Sequence, residues 1–304
     1  MAETTAYGKL TPTMMVQLAA PHTWVAAVLP VLVGSAIAVS VVGRPDTLLM
    51  LLMLVICVLL QSAVNTLNDY MDFKKGADTL ENQLDATDAV LVYNNVNPAH
   101  VFRLFLVFVG VAFVLGLYVV FRTSWICLVI GLVGILIIVL YSVGRTPLSY
   151  LPLGELASGI TMGGLITLAT AYVLTGVFDW MYLVEAIPLI LGVGLINFTN
   201  NMCDIEKDIE ANRKTVSVLM GRPRALKAYH GVVYAIILSI CVLVLVFHLQ
   251  GWPVLIFTLL TSYPLVKALV GNPLVLKTRG PAMSQVLCLN ICLGAFYALC
   301  FLVP

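Results

Sequence analysis

The sequence predicts an all-α polytopic membrane protein, a bundle of nine transmembrane helices. Three observations point there. Of its 304 residues, 61% are hydrophobic and only 10% charged, and the mean hydropathy is +1.03; ordinary soluble domains carry about 25% charged residues. The apolar residues run in unbroken stretches of about 20, the length that crosses the hydrocarbon layer as a helix. An outer-membrane barrel would alternate apolar and polar residues with period two. Finally, the basic residues sort to one side of the stretches so defined, as the positive-inside rule requires.

In chain order the predicted spans are 18–41, 47–67, 101–121, 124–142, 153–176, 180–200, 226–248, 252–271 and 281–303. The segment before the first lacks the charged start, short apolar run and cleavage site of a signal peptide, so that helix is expected to be retained. Gly43-Arg44-Pro45 separates spans one and two, Gly251-Trp252-Pro253 spans seven and eight, and Gly271-Asn272-Pro273 spans eight and nine; all are turn signals. With the N-terminus inside, 14 basic residues (Lys9, Lys74, Lys75, Arg103, Arg145, Lys207, Arg213, Lys214, Arg222, Arg224, Lys227, Lys267, Lys277 and Arg279) face one side and 2 (Arg44 and Arg122) the other. That bias places the long connections 68–100 and 201–225 in the cytoplasm and the C-terminus outside. Residues 1–304 are expected to form a single domain.

The formal net charge of +1 and the lack of a basic patch give no footprint for nucleic acid. Of the seven cysteines, none forms a CxxC pair and six lie in apolar runs, where a thiol behaves as a small hydrophobe. Cys203 differs by sitting inside a polar motif. His100, His230 and His248 read as interfacial side chains, apolar in body and polar at the tip.

Ten of the fifteen acidic residues fall in two segments, counting Glu81, Asp85 and Asp88 with the first. The first, NTLNDYMDFKKGAD, runs from Asn65 to Asp78 and is followed by Glu81, Asp85 and Asp88; the second, NNMCDIEKDIEANRKT, runs from Asn200 to Thr215. Carboxylates at a membrane edge are costly and mark function. Asp69 and Asp72 are three residues apart and Asp204 and Asp208 four apart, so each pair shares a helix face. Asn65 and Asn68 extend the first stripe; Asn197, Asn200 and Asn201 extend the second. Two pairs of hard oxygen ligands suit magnesium, which takes one or two carboxylates and completes its shell with water and substrate phosphate. Lys74, Lys75, Arg145, Lys207, Arg213 and Lys214 flank the carboxylates and can bind phosphate oxygens. Magnesium ligands beside cations at a membrane surface indicate a diphosphate on a lipid tail. Lys207, Arg222, Arg224 and Lys277 read as topology markers.

These motifs resemble those of the UbiA superfamily of intramembrane prenyltransferases, and within it the menaquinone-pathway branch. The resemblance rests on NxxNDYxDxxxGxD at Asn65–Asp78, YSVGRTPLSYLPLGE at Tyr141–Glu155 and NNxxDxxxD…KT at Asn200–Thr215, in that order at the right helix ends. It implies a UbiA-type bundle with a central cavity, in which Asp69, Asp72, Asp204 and Asp208 bind diphosphate through Mg2+. It further implies that Asn65, Asn68, Asn200 and Asn201 line the pocket, that Arg145 and Lys214 grip phosphate, and that Tyr141 and Tyr150 contact phosphate or carbocation. The substrates it implies are a polyprenyl diphosphate and an aromatic acceptor, 1,4-dihydroxy-2-naphthoate in this branch, handled at a bacterial cell membrane.

Three positions depart from the pattern. Ala20-Pro21-His22-Thr23 stands where relatives start the first helix with Arg-Pro, with His22 a candidate replacement for the cation. Cys203 stands where relatives have NNxRD. The segment from Glu81 to Pro98 carries no Lys or Arg. Either another basic group serves a carboxylated acceptor, or a different aromatic acceptor is used. A magnesium or phosphate-ester transporter is the alternative from another class; against it, the carboxylates cluster at one face and the outer helix halves lack ionisable groups, with Glu185, near a helix start, the main exception. A non-catalytic relative acting as a partner subunit is less compatible with four retained aspartates.

Overall fold

The computed structural model describes residues 7–76, 90–144 and 146–304. Asp78, Glu81, Asp85, Asp88 and Arg145 lie outside the described residues. Among those described, eight helical stretches are long and apolar enough to cross a membrane. The sixth predicted span is shorter, a 17-residue apolar helix at Ile187–Cys203.

The first span is broken rather than continuous. Helix α1 (Pro12–Ala19) starts on the Thr11 hydroxyl, which accepts from Met14 N at 3.3 Å. It stops where Ala20 turns left-handed (φ 46) ahead of Pro21, and a 3-10 turn leads into α2 (Val25–Val42). Proline has no N–H to continue the ladder. Helix α3 (Thr47–Lys75) is capped by Asp46, which accepts from Leu48 N at 2.8 Å. It ends at left-handed Gly76, with Lys74 and Lys75 in its last turn complementing the helix dipole. Its 29 residues span about 44 Å, well beyond an about 30 Å hydrocarbon layer. The first acidic motif therefore rides on a continuous helix that rises past the apolar zone.

Short α4 (Val90–Asn94) precedes α5 (Pro98–Arg122) and α6 (Trp125–Ser142), whose caps are Asn97 and Ser124. These two long helices are the most peripheral, turning Leu106, Val114, Phe121, Leu132 and Leu136 outward. The fifth span divides into α7 (Gly154–Ser158), a π-helical turn at Gly159–Leu165, and α8 (Ile166–Thr175). Here two backbones meet. A Cβ added at Gly163 would lie 2.5 Å from Leu189 O and Ile190 N, and only glycine permits that approach.

Helix α9 (Met181–Glu185) leads into α10 (Ile187–Cys203), and Asp204 leaves helical geometry before α11 (Ile205–Glu210). The second acidic pair thus straddles a helix break. Helix α12 (Val216–Met220) and three long helices, α13 (Arg222–Phe247), α14 (Trp252–Val270) and α15 (Arg279–Cys300), complete the bundle. The main core packs α2, α10, α13, α14 and α15 together, with Tyr229 and Tyr297 fully buried. A second core joins α2, α3 and α8 through Val31, Met53 and Val173. A third, around Leu18, Leu91, Val96 and Val101, packs against Tyr70 and Phe73 and braces the motif end of α3.

Candidate active site

Both acidic motifs meet at one end of the bundle, joined by an arginine. Arg213 follows α11 and its backbone N–H donates to Asp208 O at 2.8 Å, turning the side chain toward α3. Its guanidinium donates to Asp72 Oδ1 at 3.2 Å and lies 3.7 Å from Asp208 Oδ1. It also stacks on Tyr150, 4.5 Å from the ring centroid. Lys75 covers the same ring at 4.7 Å and donates to Ser142 O at 3.1 Å. Tyr150 is thus held between two cations, and its carbonyl accepts from Lys214 N at 2.8 Å.

Asp208 is almost wholly buried and accepts from the Thr215 hydroxyl at 3.2 Å. Burial pushes its carboxyl up to about 6, with Arg213 opposing the shift and Asp204 adding to it. On α3, Asn68 Nδ2 donates to Asp72 at 3.4 Å while Asn68 Oδ1 accepts from Ser142 at 3.3 Å. Asp69, half-buried, lies between Asn68 and Asp72 on the same helix end.

A second arginine holds the other motif. Arg279, at the start of α15, lies 3.3 Å from Asp204 Oδ2 and donates twice to Asn200 Oδ1, at 3.1 and 2.9 Å. Asn201 donates to Glu155 Oε1 at 2.8 Å, and Asn197 donates to Tyr141 OH at 3.0 Å and Ser158 Oγ at 2.7 Å. Glu155 Oε2 and Arg213 Nε are buried with no partner among the described residues, so the site keeps polar valences a ligand would fill.

Other expected residues take different places. Asn65 donates to Ala19 O at 3.0 Å and Thr23 Oγ1 at 2.8 Å, so it ties α3 to the break between α1 and α2. Lys74 and Lys75 are both exposed, but Lys74 lies over Tyr70 whereas Lys75 lies over Tyr150 at the site. The Lys214 side chain is exposed, while its neighbour Arg213 reaches the carboxylates. Cys203 is packed in the main core. His22 is exposed. Arg222 works as a strut: it donates to Met202 O at 3.0 Å, to Glu206 at 2.8 Å and to Leu274 O. Just before α10, at the end of that helix opposite the second motif, Glu185 is paired with His248 at 2.9 Å, and its carbonyl accepts from Tyr297.

Arg279 and Glu155 were not among the site residues expected from the sequence. The signal for Arg279 was a cation opening the last span on the motif side; Glu155 was the last residue of the Tyr141–Glu155 motif.

Between α3, α5, α6 and the π turn lies an apolar cavity of about 170 Å³, lined by Met53, Cys57, Ile135, Met162 and Ile166. No group of three or more His, Cys, Asp or Glu side chains is assembled for a metal among the described residues. Magnesium needs no such cluster, because it is usually held by one or two carboxylates plus substrate phosphates. Asp72 and Asp208, close enough to share one guanidinium, fit that demand.

The fold and site define an intramembrane helical bundle with a two-part acidic centre at one end and an apolar chamber behind it. The chain belongs to the UbiA prenyltransferase family, which it matches over residues 27–272, and is therefore a prenyltransferase. It is 40% identical over 209 residues to a 1,4-dihydroxy-2-naphthoate octaprenyltransferase of Bacillus subtilis, a match covering 69% of this chain and 66% of the relative, just under two thirds of its length. A UbiA prenyltransferase domain-containing protein 1 of Danio rerio is 27% identical over 284 residues, covering 91% of this chain and 80% of that one. In fold it matches an apo UbiA homologue from Aeropyrum pernix K1 (TM-score 0.67, 17% identity, 91% of this chain and 96% of that one). It also matches a UbiA homologue from Archaeoglobus fulgidus bound to DMAPP and Mg2+ (TM-score 0.61, 15% identity, 92% and 99%).

Proposed function

We propose that this prenyltransferase moves a polyprenyl group from polyprenyl diphosphate to 1,4-dihydroxy-2-naphthoate, as the name of its Bacillus relative describes for that protein. The observation that carries the reading is the bridge of Arg213 between Asp72 and Asp208, which makes two distant acidic motifs one centre. Asp69, Asp72, Asp204 and Asp208 are the residues to hold Mg2+. Bound there, the metal would supply positive charge against the leaving diphosphate.

The protein's own groups do the rest. Arg213 and Arg279 turn from carboxylates, and Lys75 from the Ser142 carbonyl, toward diphosphate oxygens, with Asn68, Asn200 and Asn201 orienting them; Arg145 and Asp78 are further candidates. The allylic C–O bond breaks and its electron pair leaves with the diphosphate. The Tyr141 and Tyr150 rings shield the resulting cation. The acceptor ring carbon supplies the pair for the new C–C bond, and the pair of its C–carboxylate bond returns to the ring as CO2 departs. The apolar helices shelter the tail and keep water from the cation.

This reading puts the N-terminus and both motifs on the cytoplasmic face of the cell membrane and the C-terminus outside, as the charge bias suggests. Membranes containing the protein, given Mg2+, polyprenyl diphosphate and a panel of aromatic acceptors, should yield prenylated naphthoquinol by mass spectrometry. Product from a hydroxybenzoate or homogentisate-type ring alone would reassign the acceptor, and no product from any ring would refute the reading.

A further inference from the structure

Two of the residues that line the apolar cavity each carry a buried oxygen with no hydrogen-bond partner among the described residues. Gln61 lies on α3 eight residues before Asp69, about 12 Å deeper along the helix axis. It is 7% exposed and lines the cavity. Its Nε2 donates to Thr23 Oγ1 at 3.1 Å, and Thr23 spends its own proton on Ala20 O at 2.9 Å. Thr23 can therefore only accept from Gln61, which fixes the amide with Oε1 turned the other way. That oxygen is buried without a partner.

The second atom is Thr161 Oγ1, also buried, unpartnered and lining the cavity. Thr66, Thr167, Thr199 and Thr258 each donate to the carbonyl four residues earlier, the usual refuge of a helical threonine. Thr161 sits in the π turn Gly159–Leu165, and no such bond forms. π turns of this kind often mark functional sites.

The geometry points to a binding subsite for the hydroxyl groups of the aromatic acceptor, with Gln61 and Thr161 as its specificity-determining residues. The inference rests on the proposed prenyl transfer and deepens it. Gln61 Oε1 can only accept, so its ligand must donate. An isoprenoid tail has no donor and an ionised diphosphate offers acceptors only; a ring hydroxyl is the one substrate group that fits. The cavity, about 170 Å³ and walled almost wholly by apolar side chains, offers the faces of an aromatic ring the same contacts as an isoprenoid tail, so the two unpartnered oxygens are what distinguish the ligand. The O–H donated to Gln61 raises electron density on the ring oxygen and on the carbon beside it, and Thr161 engages the second ring oxygen. The ring is thereby turned edge-on to the allylic carbon below the carboxylates.

The test uses the full chain in lipid nanodiscs with Mg2+ and geranyl thiodiphosphate, an unreactive donor. Equilibrium binding of 1,4-dihydroxy-2-naphthoate and of its two monomethyl ethers is measured for wild type, Gln61→Met and Thr161→Val. Each variant should weaken the diol by about tenfold, the loss of one buried hydrogen bond. For one ether, wild type and Gln61→Met should bind equally. The KM for geranyl diphosphate should stay within about twofold in both variants. Thr161→Val removes no bond the protein makes, so it tests the subsite even if Gln61→Met folds poorly. Equal diol affinity in all three proteins, as for a pair that merely holds water, overturns the proposal. So does a rise in KM confined to the prenyl diphosphate. A wild type that prenylates no hydroxyarene would fail the functional reading itself, before any variant is made.

Discussion

Replacing Arg213 by alanine probes the two-part centre most directly. Its guanidinium donates to Asp72 at 3.2 Å, lies 3.7 Å from Asp208 and stacks 4.5 Å from the Tyr150 centroid. A hydrogen bond to a charged group contributes about 1.5–3 kcal/mol, and a partly desolvated cation–π contact about 1 kcal/mol. In the proposed reaction charge grows on the diphosphate as the C–O bond breaks, and Arg213, between the two acidic motifs, would be placed to meet it. Losing about 3 kcal/mol at that point lowers kcat/KM by about two orders of magnitude. Arg213→Lys keeps the charge but not the planar fork, so its loss should be nearer tenfold, about 1.4 kcal/mol. The assay is the initial rate in membranes with prenyl diphosphate varied, at matched expression. A folded Arg213→Ala variant within about threefold of wild type would mean that Arg213 does not meet the leaving group.

Three further outcomes are expected. Asp208 titrates near 6 in the folded chain against its usual 3.8, so the native state holds the extra proton between those values and stability falls as pH rises through that window. Melting in detergent with EDTA should show wild type losing ground to Asp208→Asn from pH 4 to pH 7, with magnesium restoring it; a pH-independent difference would contradict the assignment. Gly163→Ala drives a Cβ to 2.5 Å from the α10 backbone and should destabilise by about 1–3 kcal/mol, while Gly134→Ala, with nothing within 4 Å, should not; equal melting temperatures would show that the helices separate easily. Arg222→Ala should lower the melting temperature and leave the KM for prenyl diphosphate unchanged, since its partners are Met202 O, Leu274 O and Glu206; a tenfold rise in that KM would move Arg222 into the site.

The bundle was legible in the sequence because lipid enforces long apolar runs, and each predicted span has its helix. The breaks within spans were harder to see. Nothing in composition distinguishes a π turn at Gly159–Leu165 from a regular helix, since it is set by how closely α10 approaches. Asp69 and Asp72 share one helix end, as their spacing suggests, whereas Asp204 and Asp208 straddle a break that spacing alone does not reveal. Side-chain direction was not legible either: Lys74 and Lys75 are neighbours on one helix end, and a rotation of about 100° sends one to Tyr70 and the other to Tyr150. Arg279 stayed hidden because its partner Asn200 is 79 residues away and no local pattern joins them.

The arginines that clasp Asp72, Asp208 and Asp204 give the resting site its own counter-ions. Stray cations gain little there, because each must first evict a guanidinium. Under the proposed reaction a magnesium–diphosphate pair would meet no such barrier, since the aspartates would hold the metal while Arg213 and Arg279 met the phosphates, and no charge would be left bare. The arginines would fall back on the aspartates as diphosphate left. A centre that carries its own counter-ions in this way makes a lone ion of either sign a poor competitor.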